Sequence, residues 1–310
     1  MKGLFLALGL LLQGCQGFLM QNGNGSAAGT TSEEVDLPGI EHAALAGDPH
    51  AEYRLGVLFE EGKSVTQDYR EAAAWYEKAS ARGYSDAQNN LGLLYAQGLG
   101  VPASPKRASM LFRKAADQGN ASAQFNLGVS LLKGQGKARD PKQAANWFTQ
   151  AARQGDSGAQ YNLAILYQRG EGVPQDDPQA LVWFERSAAQ GYAEASYQLA
   201  ICYQNGKGVD SDQGQAVKWL RLAIDQGHPA AMNRLGALYE DGRGVPQDFT
   251  QAYLFYNLAA SENHDKAAEN RQALLARMTP AQIAEGQRLT REWLTRQSHR
   301  SNQRIFDRTR

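Results

Sequence analysis

Cys202, five histidines and a glycine-rich stretch before Lys137 are the residues of this 310-residue chain whose types could do chemistry. A thiol could serve as nucleophile, an imidazole as base or metal ligand, and N–H groups between glycines as a phosphate cradle. Their spacing argues against each. His42, His50, His228, His264 and His299 include no two residues three or four apart, the separation that aligns ligands on one helix face. Gly134-Gln135-Gly136-Lys137 lacks the rest of the G-x-x-x-x-G-K-[ST] phosphate loop. Two cysteines, far apart, make neither a disulfide framework nor a zinc cluster. No Ser, His and Asp form a nucleophile arrangement. The residues predict no catalytic group, metal, cofactor or small-molecule substrate. Lys+Arg and Asp+Glu balance at 32 each, so no global field points to nucleic acid.

The other cysteine ends an address. Residues 1–15 read MKGLFLALGLLLQGC, with Lys2 before an apolar run from Leu4 to Leu12. Nine helical residues span roughly 14 Å, about half a bilayer core, which fits a secretory signal and not a membrane span. Leu12-Gln13-Gly14-Cys15 resembles the lipobox of bacterial lipoproteins. That resemblance implies cleavage before Cys15, acylation of Cys15 as the first mature residue, and a membrane anchor. Gln16, and not Asp, follows the cysteine, which by the family's sorting rule implies an outer-membrane lipoprotein facing the periplasm, with surface exposure left open. Residues 15–38 are rich in Gly, Ser, Thr and Asn and read as a flexible tether with a reach of roughly 25–30 Å.

The rest of the chain repeats. Leu55, Leu91, Leu127, Leu163, Leu199 and Leu235 lie at intervals of 36 without slip. An Ala stands four residues before each, and Phe59, Tyr95, Leu131, Tyr167, Tyr203 or Tyr239 four after it. Spacings of four share one helix face, so this segment is the first helix, A, of each unit. Gly62, Gly98, Gly134, Gly170, Gly206 and Gly242 stop it. Asp68, Ser104, Asp140, Asp176, Asp212 and Asp248 suit the N-cap of a second helix, B, which carries Trp75, Leu111, Trp147, Trp183, Trp219 and Phe255 in register. The units are 49–84, 85–120, 121–156, 157–192, 193–228 and 229–264. A lone unit cannot offset the entropy of ordering its backbone, so the units must stack and the ends must be covered. Solenoid sequence runs from residue 39, capping helices are expected over 265–297, and residues 298–310 read as a basic disordered tail.

The pattern A-x-x-x-L-G-x-x-Y-x-x-G-x-G-V-x-x-D-x-x-x-A-x-x-W resembles the Sel-like repeat, a relative of the tetratricopeptide repeat. It implies an all-α fold, a right-handed α-solenoid superhelix of about six helix-turn-helix repeats with terminal capping helices. It also implies a scaffold or adaptor that binds a protein partner. Some members of the family carry a paired disulfide in every unit, and β-lactam hydrolysis has been ascribed to that branch. A β-lactam or peptidoglycan-related hydrolase is therefore the alternative, although those cysteines are missing here.

The candidate binding surface is the side of helix A opposite its Leu and Tyr, which the resemblance makes concave. Its first column is Tyr53, Asn89, Phe125, Tyr161, Tyr197 and Asn233. Ile165 and Ile201 continue an apolar second column, and Gln168 and Gln204 a polar rim. An aromatic and aliphatic stripe with a polar edge suits a peptide groove. The same stripe could equally serve to pack adjacent A helices.

Overall fold

The computed structural model describes residues 35–308, so the signal stretch, Cys15 and nearly all of the tether lie outside the described residues. Among the described residues there are fifteen α-helices and no strand. A short helix, α1 (Leu37–Leu45), comes first. Six helical hairpins follow: α2 (Pro49–Glu61) with α3 (Tyr69–Ala81), α4 (Ser85–Gln97) with α5 (Pro105–Asp117), and α6 (Ala121–Lys133) with α7 (Pro141–Arg153). Then come α8 (Ser157–Arg169) with α9 (Asp177–Ala189), α10 (Ala193–Asn205) with α11 (Gln213–Asp225), and α12 (Pro229–Asp241) with α13 (Phe249–Ser261). Two helices close the chain, α14 (Asp265–Leu275) and α15 (Pro280–Arg308). The solenoid of stacked hairpins expected from the repeat is what the chain forms.

Local chemistry fixes the helix ends. Every A helix stops at a glycine with φ between 65° and 74°, a region that side chains with a Cβ rarely enter. Every B helix starts at an Asp or Ser whose side chain accepts a backbone N–H of the first turn. The starts of the A helices vary more. Asp48, Asn120, Asp156 and His228 cap with their side chains, whereas Tyr84 and Tyr192 do not.

The core runs as a seam between the A and B layers. Leu127, Leu163, Leu199 and Leu235 are fully buried, as are the alanines around them. On the B helices the sequence gives prominence to the tryptophans, but the seam takes the next residue instead. Tyr76, Phe112, Phe148, Phe184, Leu220 and Tyr256 are no more than 3% exposed, while Trp75, Trp147, Trp183 and Trp219 are only half-buried. In the units with Gly after Leu, the buried ring packs close against that glycine of the A helix. A Cβ on Gly128 would fall 2.7 Å from the Phe148 ring. The tryptophans sit at the margin, and three of them lie under cations: Lys78 Nζ is 3.4 Å from the Trp75 centroid, and the Arg113 and Arg186 guanidinium groups are 5.0 and 4.6 Å from those of Trp147 and Trp183.

The ends are covered. Ile40 and Ala44 of α1 pack on Ala51, Leu55 and Leu58. At the other end α13 is buried along most of its length, from Ala252 to Ala259 apart from Asn257. The terminal helices account for that burial: Leu274, Met278 and Ile283 join Tyr253 and Tyr256, and a Cβ on Gly286 would meet the Tyr253 ring at 2.6 Å. Arg271, at the position where the period would demand Leu, donates to Asn257 instead of entering the core. Over 298–308, read from the sequence as a disordered tail, α15 continues to Arg308. Neither Pro nor Gly follows Gly286, so nothing in the sequence stops that helix.

Candidate functional site

Tyr53, Asn89, Phe125, Tyr161, Tyr197 and Asn233 occupy the fifth position of their A helices, Ile165 and Ile201 the ninth, and Gln168 and Gln204 the twelfth. One helical side therefore carries all ten, repeated from unit to unit. The fold brings the first column into contact with two neighbours at once. Tyr161 lies 5.8 Å from Phe184 of its own hairpin and 5.1 Å from Tyr192, which begins the next. Tyr53 stands likewise against Tyr76 and Tyr84, at 5.8 and 5.2 Å, and Tyr197 stacks on His228 at 4.7 Å. Phe125 sits 6.0 Å from Phe148. All are half-buried, so part of each ring serves the joint between units and part faces outward.

Asparagines in this column link the units by hydrogen bonds. Asn126 Nδ2 donates to Asn89 Oδ1 at 2.9 Å, and Asn270 Nδ2 donates to Asn233 Oδ1 at 2.9 Å. Asn89 differs from the other nine residues in being buried, at 6% exposed. Ile165 and Ile201 are half-buried. Gln168 donates to Cys202 Sγ at 3.7 Å, and Gln204 Oε1 accepts Arg234 Nε at 2.5 Å.

Electrostatically the face is quiet. Burial pushes the phenols of Tyr53 and Tyr161 up to about 12, so neither exchanges a proton near neutrality. The Glu60 carboxyl is raised by burial, and it accepts the Tyr76 hydroxyl at 2.5 Å. Cys202 is buried at 2% exposed, and burial followed by the charge of Asp177 pushes its thiol up to about 11. A neutral buried thiol is a packing group. Among the described residues no group of three or more His, Cys, Asp or Glu has the geometry to hold a metal ion. No helix among them is long and apolar enough to cross a membrane.

The residues singled out for chemistry take structural places. His228 and His264 cap helices, each Nδ1 accepting an N–H at 3.2 Å from Ala231 and Ala267. Gly136 has φ 76°, and its loop closes on the carbonyl of Pro105 in the previous unit, which leaves Lys137 exposed beside it.

A ladder of glutamines escaped the sequence reading. Gln118, Gln154 and Gln190, each just beyond helix B, donate to buried Gln88, Gln124 and Gln160 at 2.8 Å. Those three donate in turn to carbonyls of the previous hairpin, at Ser80, Ala116 and Ala152. The signal was available as Gln recurring at 36-residue spacing, but polar residues at helix ends draw no attention when apolar periods are being sought.

Comparison with known proteins places this geometry. The model of the Sel1 repeat family matches residues 49–84, 85–120, 121–156, 157–192, 193–228 and 229–264. Among solved structures, a Sel1 repeat protein from Oxalobacter formigenes is 31% identical, with a TM-score of 0.64, over 69% of this chain and 85% of that one. A putative Sel1 repeat protein from Klebsiella pneumoniae is 27% identical over 64% of this chain and 97% of the other, with a TM-score of 0.44. The antigen c5321 of uropathogenic Escherichia coli, which has the same type of repeat fold, is 25% identical over 83% and 86%, with a TM-score of 0.38. No curated protein sequence matches the chain.

Proposed function

The chain belongs to the Sel1 repeat family, and from that premise we propose that it is a lipid-anchored envelope scaffold whose A-helix face holds a protein partner. The observation that carries the reading is a column that never breaks. Val57, Leu93, Val129, Ile165, Ile201 and Ala237 are apolar and half-buried on the same side of all six A helices. A packed core needs no such column on its outer side, whereas a partner laid across the units would cover it. Gln168 and Gln204 supply polar contacts at its rim.

The anchor is Cys15. Acyl chains on the mature first residue contribute about 0.8 kcal/mol per buried methylene, enough in sum for permanent attachment. Gln16 in place of Asp after the cysteine supports the outer membrane as the destination. The tether between Cys15 and α1 lets the solenoid reach a partner away from the bilayer. The protein acts by holding and not by turnover, and neither nucleic acid nor a small-molecule substrate is part of its work.

Two measurements test this. Cys15→Ser is expected to move the protein from the membrane to the soluble fraction, and continued membrane association would refute the anchor. Ile165→Lys with Ile201→Lys is expected to abolish capture of the partner from solubilised envelopes at unchanged helical content. Undiminished capture would refute the face.

A further inference from the structure

The glutamine ladder stops at the fourth unit. Gln88, Gln124 and Gln160 stand at the fourth position of α4, α6 and α8. Each ties its own hairpin to the one before, donating to the carbonyl of Ser80, Ala116 or Ala152 at 3.4, 3.3 and 3.1 Å. Each also accepts, at 2.8 Å, the glutamine just beyond its own helix B. In the first unit an ion pair between Arg82 and buried Glu52 takes the same two places. In the fifth unit Ser196 stands at the ladder position, and in the sixth Met232. Both are buried, at 0% and 3% exposed.

A serine side chain is too short to reach the previous hairpin. The Ser196 hydroxyl is buried with no hydrogen-bond partner in the protein, and so is Oε1 of Gln226, the glutamine just beyond helix B of the same unit. Buried polar atoms left unpaired are costly, so this joint loses a link and carries a penalty as well. What still crosses it is apolar packing of Phe184 and Ala188 with Ala195 and Leu199, the contacts of Tyr161 with Tyr192 and Gln198, and a long hydrogen bond from Gln168 to the Cys202 sulfur. The core changes in the same region. One cluster runs unbroken from Ala72 on α3 to Leu166 on α8, and smaller ones replace it beyond. The fifth and sixth hairpins are joined by other means: Arg234 Nε donates to Gln204 Oε1 at 2.5 Å, and Arg221 to the Tyr239 hydroxyl at 2.8 Å.

We infer that the solenoid opens at the joint between its fourth and fifth units, where Ser196 breaks the ladder, so that α10 to α13 loosen together from the block formed by the first four units. In a stack each unit touches only its neighbours, so one weakened joint decides where the array divides. The inference concerns movement within the chain and holds whatever the A-helix face binds.

Hydrogen exchange of the purified full-length chain, read helix by helix, tests it. Buried amides of α10 to α13 are expected to exchange as one group, at least about tenfold faster than those of α4 to α9. Ser196→Gln restores the ladder residue and is expected to slow α10 to α13 at least about tenfold. Gln160→Ser moves the break one joint toward the N-terminus, so α8 and α9 should join the faster group. A common rate from α4 to α13 in the wild type, or a boundary at another joint, would overturn the inference. Rates unchanged by both substitutions would do the same. Where the larger side chain does not fit and Ser196→Gln speeds exchange throughout, Gln160→Ser decides: a boundary that moves supports the joint, and one that stays overturns it.

Discussion

His228 caps α12 with the lone pair of Nδ1, which accepts the Ala231 N–H, so the cap exists only while the imidazole is neutral. Burial, assisted by nearby His264, holds its pKa down to about 4, from an ordinary value near 6.5. The sign follows from linkage. Between those values the unfolded chain binds the proton more readily than the folded one, so this group's contribution is complete above about pH 6.5 and is lost as pH falls toward 4. His228→Asn replaces the ring with the residue that caps the equivalent helix at Asn120, where Oδ1 accepts Ala123 N–H at 2.9 Å. Unfolding measured across pH 4–7 is expected to show a smaller acid loss in the variant than in wild type. Identical pH profiles would remove His228 from the account. The sequence already marks His228 and His264 as helix starts because they share a repeat position with Asp48, Asn120 and Asp156. It does not reveal the state of the proton, which depends on how deeply Tyr197 and the neighbouring hairpin cover the ring.

At the scale of elements, the unit is a pair of thirteen-residue helices, and its joints are closed by backbone as much as by side chains. Gly136 and Gly155 both have positive φ, at 76° and 95°, but their surroundings differ. A Cβ on Gly136 would lie 2.2 Å from the Pro105 carbonyl oxygen, whereas one on Gly155 would meet nothing within 4 Å. Gly155→Ala is expected to cost about 1 kcal/mol from backbone strain alone. Gly136→Ala adds overpacking at the contact between units and is expected to cost about 1–3 kcal/mol more. Denaturant unfolding of the two variants checks this, and equal losses would mean that the loop does not bear on the neighbouring unit. Helix ends and unit boundaries were legible in the sequence because glycine and the Asp caps act through their own residues. The choice of Phe148 over Trp147 for the seam was not, since both are large and apolar and only the rotation of α7 separates them. The helical run of 298–308 was hidden by its composition, which reads as solvated charge.

The whole molecule is a neutral chain, with 32 basic and 32 acidic residues, whose six A helices carry an unbroken apolar, half-buried column from Val57 to Ala237. Stacking buries one face of each hairpin and presents the other in register from unit to unit. Of the two roles that the sequence left open for the first column, packing between units is visible in Tyr161 and Tyr197, whose rings meet Tyr192 and His228. Docking on this side is tested most directly by a photo-crosslinking side chain placed at Ile165, on the A-helix ridge, or at Met110, which is 51% exposed on α5. After irradiation of intact cells, the residue at 165 is expected to yield a discrete crosslinked adduct and the residue at 110 none. An adduct at 110 with none at 165 would contradict docking on the A-helix face.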